Sequence, residues 1–123
     1  MSSFFGFHPL ERDTILLTID RDMNDLTLVQ LRDALDQGVP ATVRKVIVDR
    51  RDRNGSISVE TAEAFGKDIG IQLVDRQIKL AFLESAEHAA IDRLHETLVQ
   101  AGGCVAAFKD IADARRWLAF EMD

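Results

Sequence analysis

The densest chemistry in this chain of 123 residues lies in residues 44–61, RKVIVDRRDRNGSISVET. Asp49, Arg50, Arg51, Asp52 and Arg53 follow an apolar run, and Ser56 and Ser58 precede a stretch of helical spacing. Arginines beside the start of a helix, whose first backbone N–H groups lack intrahelical partners, are the components of an anion site. The same residues also read as a solvated loop. Three arginines against two aspartates leave one net positive charge, and exposed ion pairs contribute only roughly 0–1 kcal/mol each. Asn54-Gly55 is a turn signal, and Ser56 or Ser58 is placed to cap the following helix. A phosphate on either serine would be favoured at that helix end by roughly 0.3–1 kcal/mol. It would also change the charge that a partner reads.

Other chemistry-bearing residues are sparser. Asp20, Asp22 and Asn24 match the opening of an EF-hand loop, but Asp25 stands where its glycine belongs and Leu31 where its glutamate belongs. His88, Asp92 and His95 fall within about 60° of one another on a helix. With no fourth ligand evident, that arc reads as a polar helix face rather than a metal site. Cys104 lies in an apolar strand with no base beside it and reads as a core residue. No glycine-rich phosphate loop and no nucleophile elbow is present. Neither a cofactor nor a metal is called for.

The elements that must position these residues alternate between strand and helix. Phe4, Phe5 and Phe7 suggest a short first strand, joined by residues 9–13 as a hairpin connection to the strand TILLTI, Thr14–Ile19. Leu26, Leu28, Leu31 and Leu35, with Val29 and Ala34, recur at helical spacing, and Gly38 stands where a left-handed C-terminal residue would stop the helix. Residues 43–48 form a β-branched run of the kind covered on both faces in parallel sheets. Val59, Ala62, Phe65, Ile69 and Leu73 stripe the next helix. A strand over residues 78–83 follows, then a helix striped by Ile91, Leu94 and Leu98 that ends at Gly102-Gly103. The strand over residues 104–108 comes last, before a helix capped by Asp110 with Asp113 at its third position. In that helix Ile111, Ala114, Trp117 and Leu118 point inward.

Such alternation requires right-handed crossovers. It predicts an α/β fold: an open mixed, mostly parallel sheet of about five strands with four helices, the whole chain forming one domain. Loops at the carboxyl ends of the strands then share a rim, where ligands of open α/β sheets bind. That rim would gather Asp20 and Asp22, residues 49–58, Glu84 and Ser85, and Lys109 and Asp110.

Composition bounds the partners. Fifteen basic against twenty-one acidic residues give a net charge of −6, which disfavours nucleic acid and anionic membrane surfaces. One cysteine excludes an intrachain disulfide. No apolar run approaches the roughly 20 residues of a membrane span. The start MSSFFGFHPLERD lacks a basic region and a small-residue cleavage site, so no signal peptide and a cytoplasmic location are expected. Trp117, Phe120 and Met122 near the C-terminus hint at a homodimer or partner surface, or at a terminus folded back on its own core.

Two resemblances follow from these placements. Asp20, Asp22, Asp49, Ser85 and Lys109 resemble the layout of response-regulator receiver domains, with one strand–helix unit fewer. That implies magnesium-dependent phosphoryl acceptance at Asp49. Nearly the whole chain resembles the SpoIIAA-like proteins of the STAS group. The resemblance is carried by VIVDRR with Asp49 and Arg51, by IKLAFLES, and by the closing GCVAAFKDIADARRWL. It implies a bacterial, cytoplasmic, non-enzymatic domain that docks a partner protein under control of a phosphorylated serine, which falls at Ser58. The Asp-Ser dipeptide of that group is Ile57-Ser58 here. A comparison with lipid-binding relatives implies a small apolar ligand beneath the helices. The leading expectation is therefore a STAS-like module binding a protein or small ligand at Asp49, Arg50, Arg51, Arg53, Ser56 and Ser58.

Overall fold

The computed structural model describes residues 5–19, 24–50, 58–84 and 89–119, with only the backbone of 89–93. The elements run β1 (Phe5–Glu11), β2 (Thr14–Ile19), α1 (Asp25–Gly38), β3 (Lys45–Asp49), α2 (Val59–Asp75), β4 (Lys79–Leu83), α3 (Ala89–Gln100), β5 (Cys104–Phe108) and α4 (Ile111–Ala119). Their strands form one sheet in the order β1-β2-β3-β4-β5. β1 is antiparallel to β2, and every other neighbouring pair is parallel.

Side-chain alternation divides the core into two layers. Ile15, Leu17, Ile19, Val46, Val48, Leu80, Phe82 and Val105 face α1, α2 and α3, meeting Leu28, Leu31, Leu35, Ala62, Ile69, Leu73, Leu94 and Leu98. Ile47, Ala81 and Leu83 point the other way, onto Ala114 and Leu118 of α4. Three helices thus cover one face and a single helix the other. The run Val46-Ile47-Val48 is fully buried because both faces of β3 are covered.

Several local expectations are corrected. β1 extends through Pro9 to Glu11, with a register shift between Pro9 and Glu11, so the hairpin connection shrinks to Arg12 and Asp13. A proline is tolerated there because β1 is an edge strand. Gly38 is the last residue of α1 and is not left-handed. Its missing side chain leaves room for the Phe7 ring. The left-handed stops fall instead at Gly102 (φ 94°) after α3 and at Gln77 (φ 55°) after α2. Leu26 and Val59 are exposed, at 56% and 42%, because each lies in the first turn of its helix. Cys104 is half-buried rather than a core residue. Trp117 folds back onto its own sheet, 5.7 Å from the Phe108 ring and 4.6 Å beneath the Lys79 ammonium. Phe120 and Met122 lie outside the described residues.

Helices α2 and α3 approach closely through small residues. A Cβ on Gly70 would stand 2.6 Å from Cβ of Ala101, and one on Gly66 would stand 3.0 Å from Thr97. Among the described residues no helix is long and apolar enough to cross a membrane.

Candidate functional site

The rim at the carboxyl ends of β3 and β4 holds the corner expected to bind. Asp49 ends β3, half-buried, and β3 lies in register between β2 and β4. Ser58 opens α2 as its N-cap, with Oγ accepting from the Thr61 N–H at 3.2 Å. An exposed serine in extended conformation suits that role, because its side-chain oxygen replaces a missing intrahelical acceptor. Arg51, Asp52, Arg53 and Ser56 lie outside the described residues, as do Asp20, Asp22, Ser85 and His88; the side chain of Asp92 does too.

Arg50 departs from the expectation of a partner contact. It is only 6% exposed, and its Nη2 donates toward Glu84 Oε1 across 3.3 Å. The guanidinium lies 5.9 Å from the Phe82 ring, and the backbone N–H donates to the Leu83 carbonyl. Burial lowers its pKa and the Glu84 charge opposes that shift. The physical reason for its inward turn is its position: one residue beyond β3, it still follows the strand, and Glu84 occupies the equivalent place after β4. Arg50 is the bolt behind the corner rather than part of its outer surface.

A carboxylate not assigned to this corner from the sequence completes it. Asp25, first residue of α1, accepts from the Ser58 backbone N–H at 2.8 Å and from Ser58 Oγ at 3.1 Å. Its pKa is lowered, chiefly by the Ser58 backbone N–H, with desolvation opposing and the Ser58 and Thr61 hydroxyls assisting. A carboxylate accepts only, so the Ser58 hydroxyl donates in its contact with Asp25, and its oxygen remains free to accept from the Thr61 N–H. The N-terminus of α2, for which the sequence offered an anion site or a solvated loop, thus already carries an internal anion. α1 reaches this point because Asn24 caps it, accepting from the Thr27 N–H at 2.9 Å and hydroxyl at 3.0 Å. The sequence signal was available: an acid opening a helix that starts on the same rim.

At the far side of the rim Lys109 is exposed and Asp110 caps α4, accepting from the Ala112 N–H at 2.6 Å. Among the described residues no group of three or more His, Cys, Asp or Glu is arranged to hold a metal. The layer beneath α1, α2 and α3 is lined by Leu17, Leu28, Leu31, Leu35, Leu73 and Leu80, all buried.

No family model and no curated protein matches this sequence. Its described residues nevertheless build a recognisable architecture, a five-strand mixed sheet with four helices. Among solved structures it is similar to the anti-sigma factor antagonist SpoIIAA in its unphosphorylated form. The TM-score is 0.50 at 14% identity, covering 94% of this chain and 99% of that one. The Bacillus cell fate determinant SpoIIAA in the phosphorylated form gives 0.47 at 14% identity, covering 92% and 98%. On the match to the unphosphorylated form, the chain has the SpoIIAA-like fold.

Proposed function

We propose that this chain is a non-enzymatic regulatory module of the bacterial cytoplasm that docks a protein partner at the corner formed by residues 49–58. The SpoIIAA-like fold supports a protein partner, since the similar structure is described as an anti-sigma factor antagonist. The observation that carries the reading is the Ser58–Asp25 linkage: an exposed serine capping α2 and holding the start of α1. In this reading Asp49, Arg51, Arg53, Ser56 and Ser58 meet the partner, and Arg50 fixes the corner from behind through Glu84. Ser58 is also the modification point. A phosphate there would confront the Asp25 carboxylate with like charge, break both bonds between them and free the start of α1 from α2.

The test compares the partners captured by the parent, Arg51→Ala and Ser58→Asp forms. The expected result is that both variants lose the partner, with unchanged circular dichroism. Identical partner sets for all three would count decisively against the corner as the docking surface.

A further inference from the structure

We propose that the open edge of β5 pairs antiparallel with β5 of a second copy of this chain. This stands independently of the partner-docking corner.

The sheet has two borders, and they are built differently. β1 carries Pro9, which lacks an N–H, and a register shift beside it, both of which discourage further pairing. β5, CVAAF, has no charge, no proline and no bulge. An apolar edge lacking all of these protections is a template for another strand.

The hydrogen-bonding directions follow from the ladder. Phe108 O accepts from the Glu84 N–H, so Phe108 faces β4. Alternate residues of a strand face the same neighbour, so Cys104 and Ala106 face β4 as well. Val105 and Ala107 therefore turn their N–H and C=O groups outward, and among the described residues no other strand pairs with β5.

These outward groups fit a twofold seam centred on Ala106. Val105 then exchanges both hydrogen bonds with Ala107 of the second copy, and the reverse, while Ala106 faces Ala106 and Cys104 faces Phe108. The flanks agree with this register. Gly103 comes opposite Lys109 of the second copy, where no side chain obstructs it. α3 has no basic residue in its last turn, and Gln100 ends it three residues before Gly103. Its negative end would thus receive the exposed Lys109 of the other copy. That charge complementarity selects a second copy over an unrelated strand.

The experiment is sedimentation velocity on the full chain across a concentration series reaching the millimolar range, because so short a seam gives a weak, concentration-dependent dimer. The parent should pass from one chain's mass towards two. Ala107→Pro, which removes an outward donor, and Ala107→Lys should stay at one, with circular dichroism unchanged. Lys109→Glu should weaken association several-fold. Ala106→Cys in a Cys104→Ser background should form an interchain disulfide on mild oxidation, because the facing residues are a close, non-hydrogen-bonded pair. A parent that remains a monomer throughout, or an Ala107→Pro form that dimerises like the parent, overturns the proposal. Should Ala107→Pro fail to fold, hydrogen exchange on the parent decides. The Val105 and Ala107 amides must slow as concentration rises, and unchanged rates overturn the proposal equally.

Discussion

Asp25 and Arg50 decide how the corner behaves: Asp25 is held chiefly by Ser58 and Arg50 pairs with Glu84. The Asp25 carboxylate has a lowered pKa because the Ser58 N–H favours its charged form. A folded-state pKa below the unfolded one contributes stability that is present above the unfolded value and is lost as pH falls through the folded one. Stability of the parent should therefore fall at the acid end of the carboxylate range, and Asp25→Asn should flatten that part of a urea-unfolding series across pH. The neighbouring cap gives a plainer number: Ser58→Ala should cost about 1 kcal/mol, read from the same urea midpoints. Arg50 is a buried charge paired with Glu84, and its removal takes the opposite charge away from that carboxylate. Arg50→Met should cost about 3 kcal/mol, and the double change Arg50→Met with Glu84→Leu should recover most of it. A double change no more stable than the single one would mean that Glu84 is not what holds Arg50.

At the scale of elements, α2 is the most constrained, because it is capped by one helix and packed tightly on another. Asp25 links its start to α1, Arg76 just beyond its end donates to the Leu35 and Val39 carbonyls at 2.5 Å each, and Gly70 lets α3 approach. Gly70→Ala should lower stability by about 1–3 kcal/mol through overpacking against Ala101. It should leave Ser58 chemistry untouched, which thermal unfolding together with partner capture would distinguish. The strand–helix order was legible because hydrophobic period changes cleanly between stretches such as TILLTI and the leucine-spaced helix after it. The fate of individual residues was less so. Leu26 and Val59 matched the apolar spacing yet are exposed, since periodicity cannot tell a first turn that overhangs the sheet from one that lies over it. Arg50 read as surface for a related reason: burial of a charge depends on Glu84, thirty-four positions away, and no local pattern carries that pairing. In the sequence Asp25 stands out only as the residue that breaks a calcium-loop pattern, whereas its bonds cross from one helix to another.

For the whole molecule, the asymmetry between the two borders of the sheet sets what assembly is open to it. A strand bearing a proline and a slipped register closes one side, so only the other can accept an addition. Two copies joined there expose nothing but closed sides. Growth stops after a single step, and crowding that would drive a two-ended sheet into fibrils leaves this one as discrete pairs.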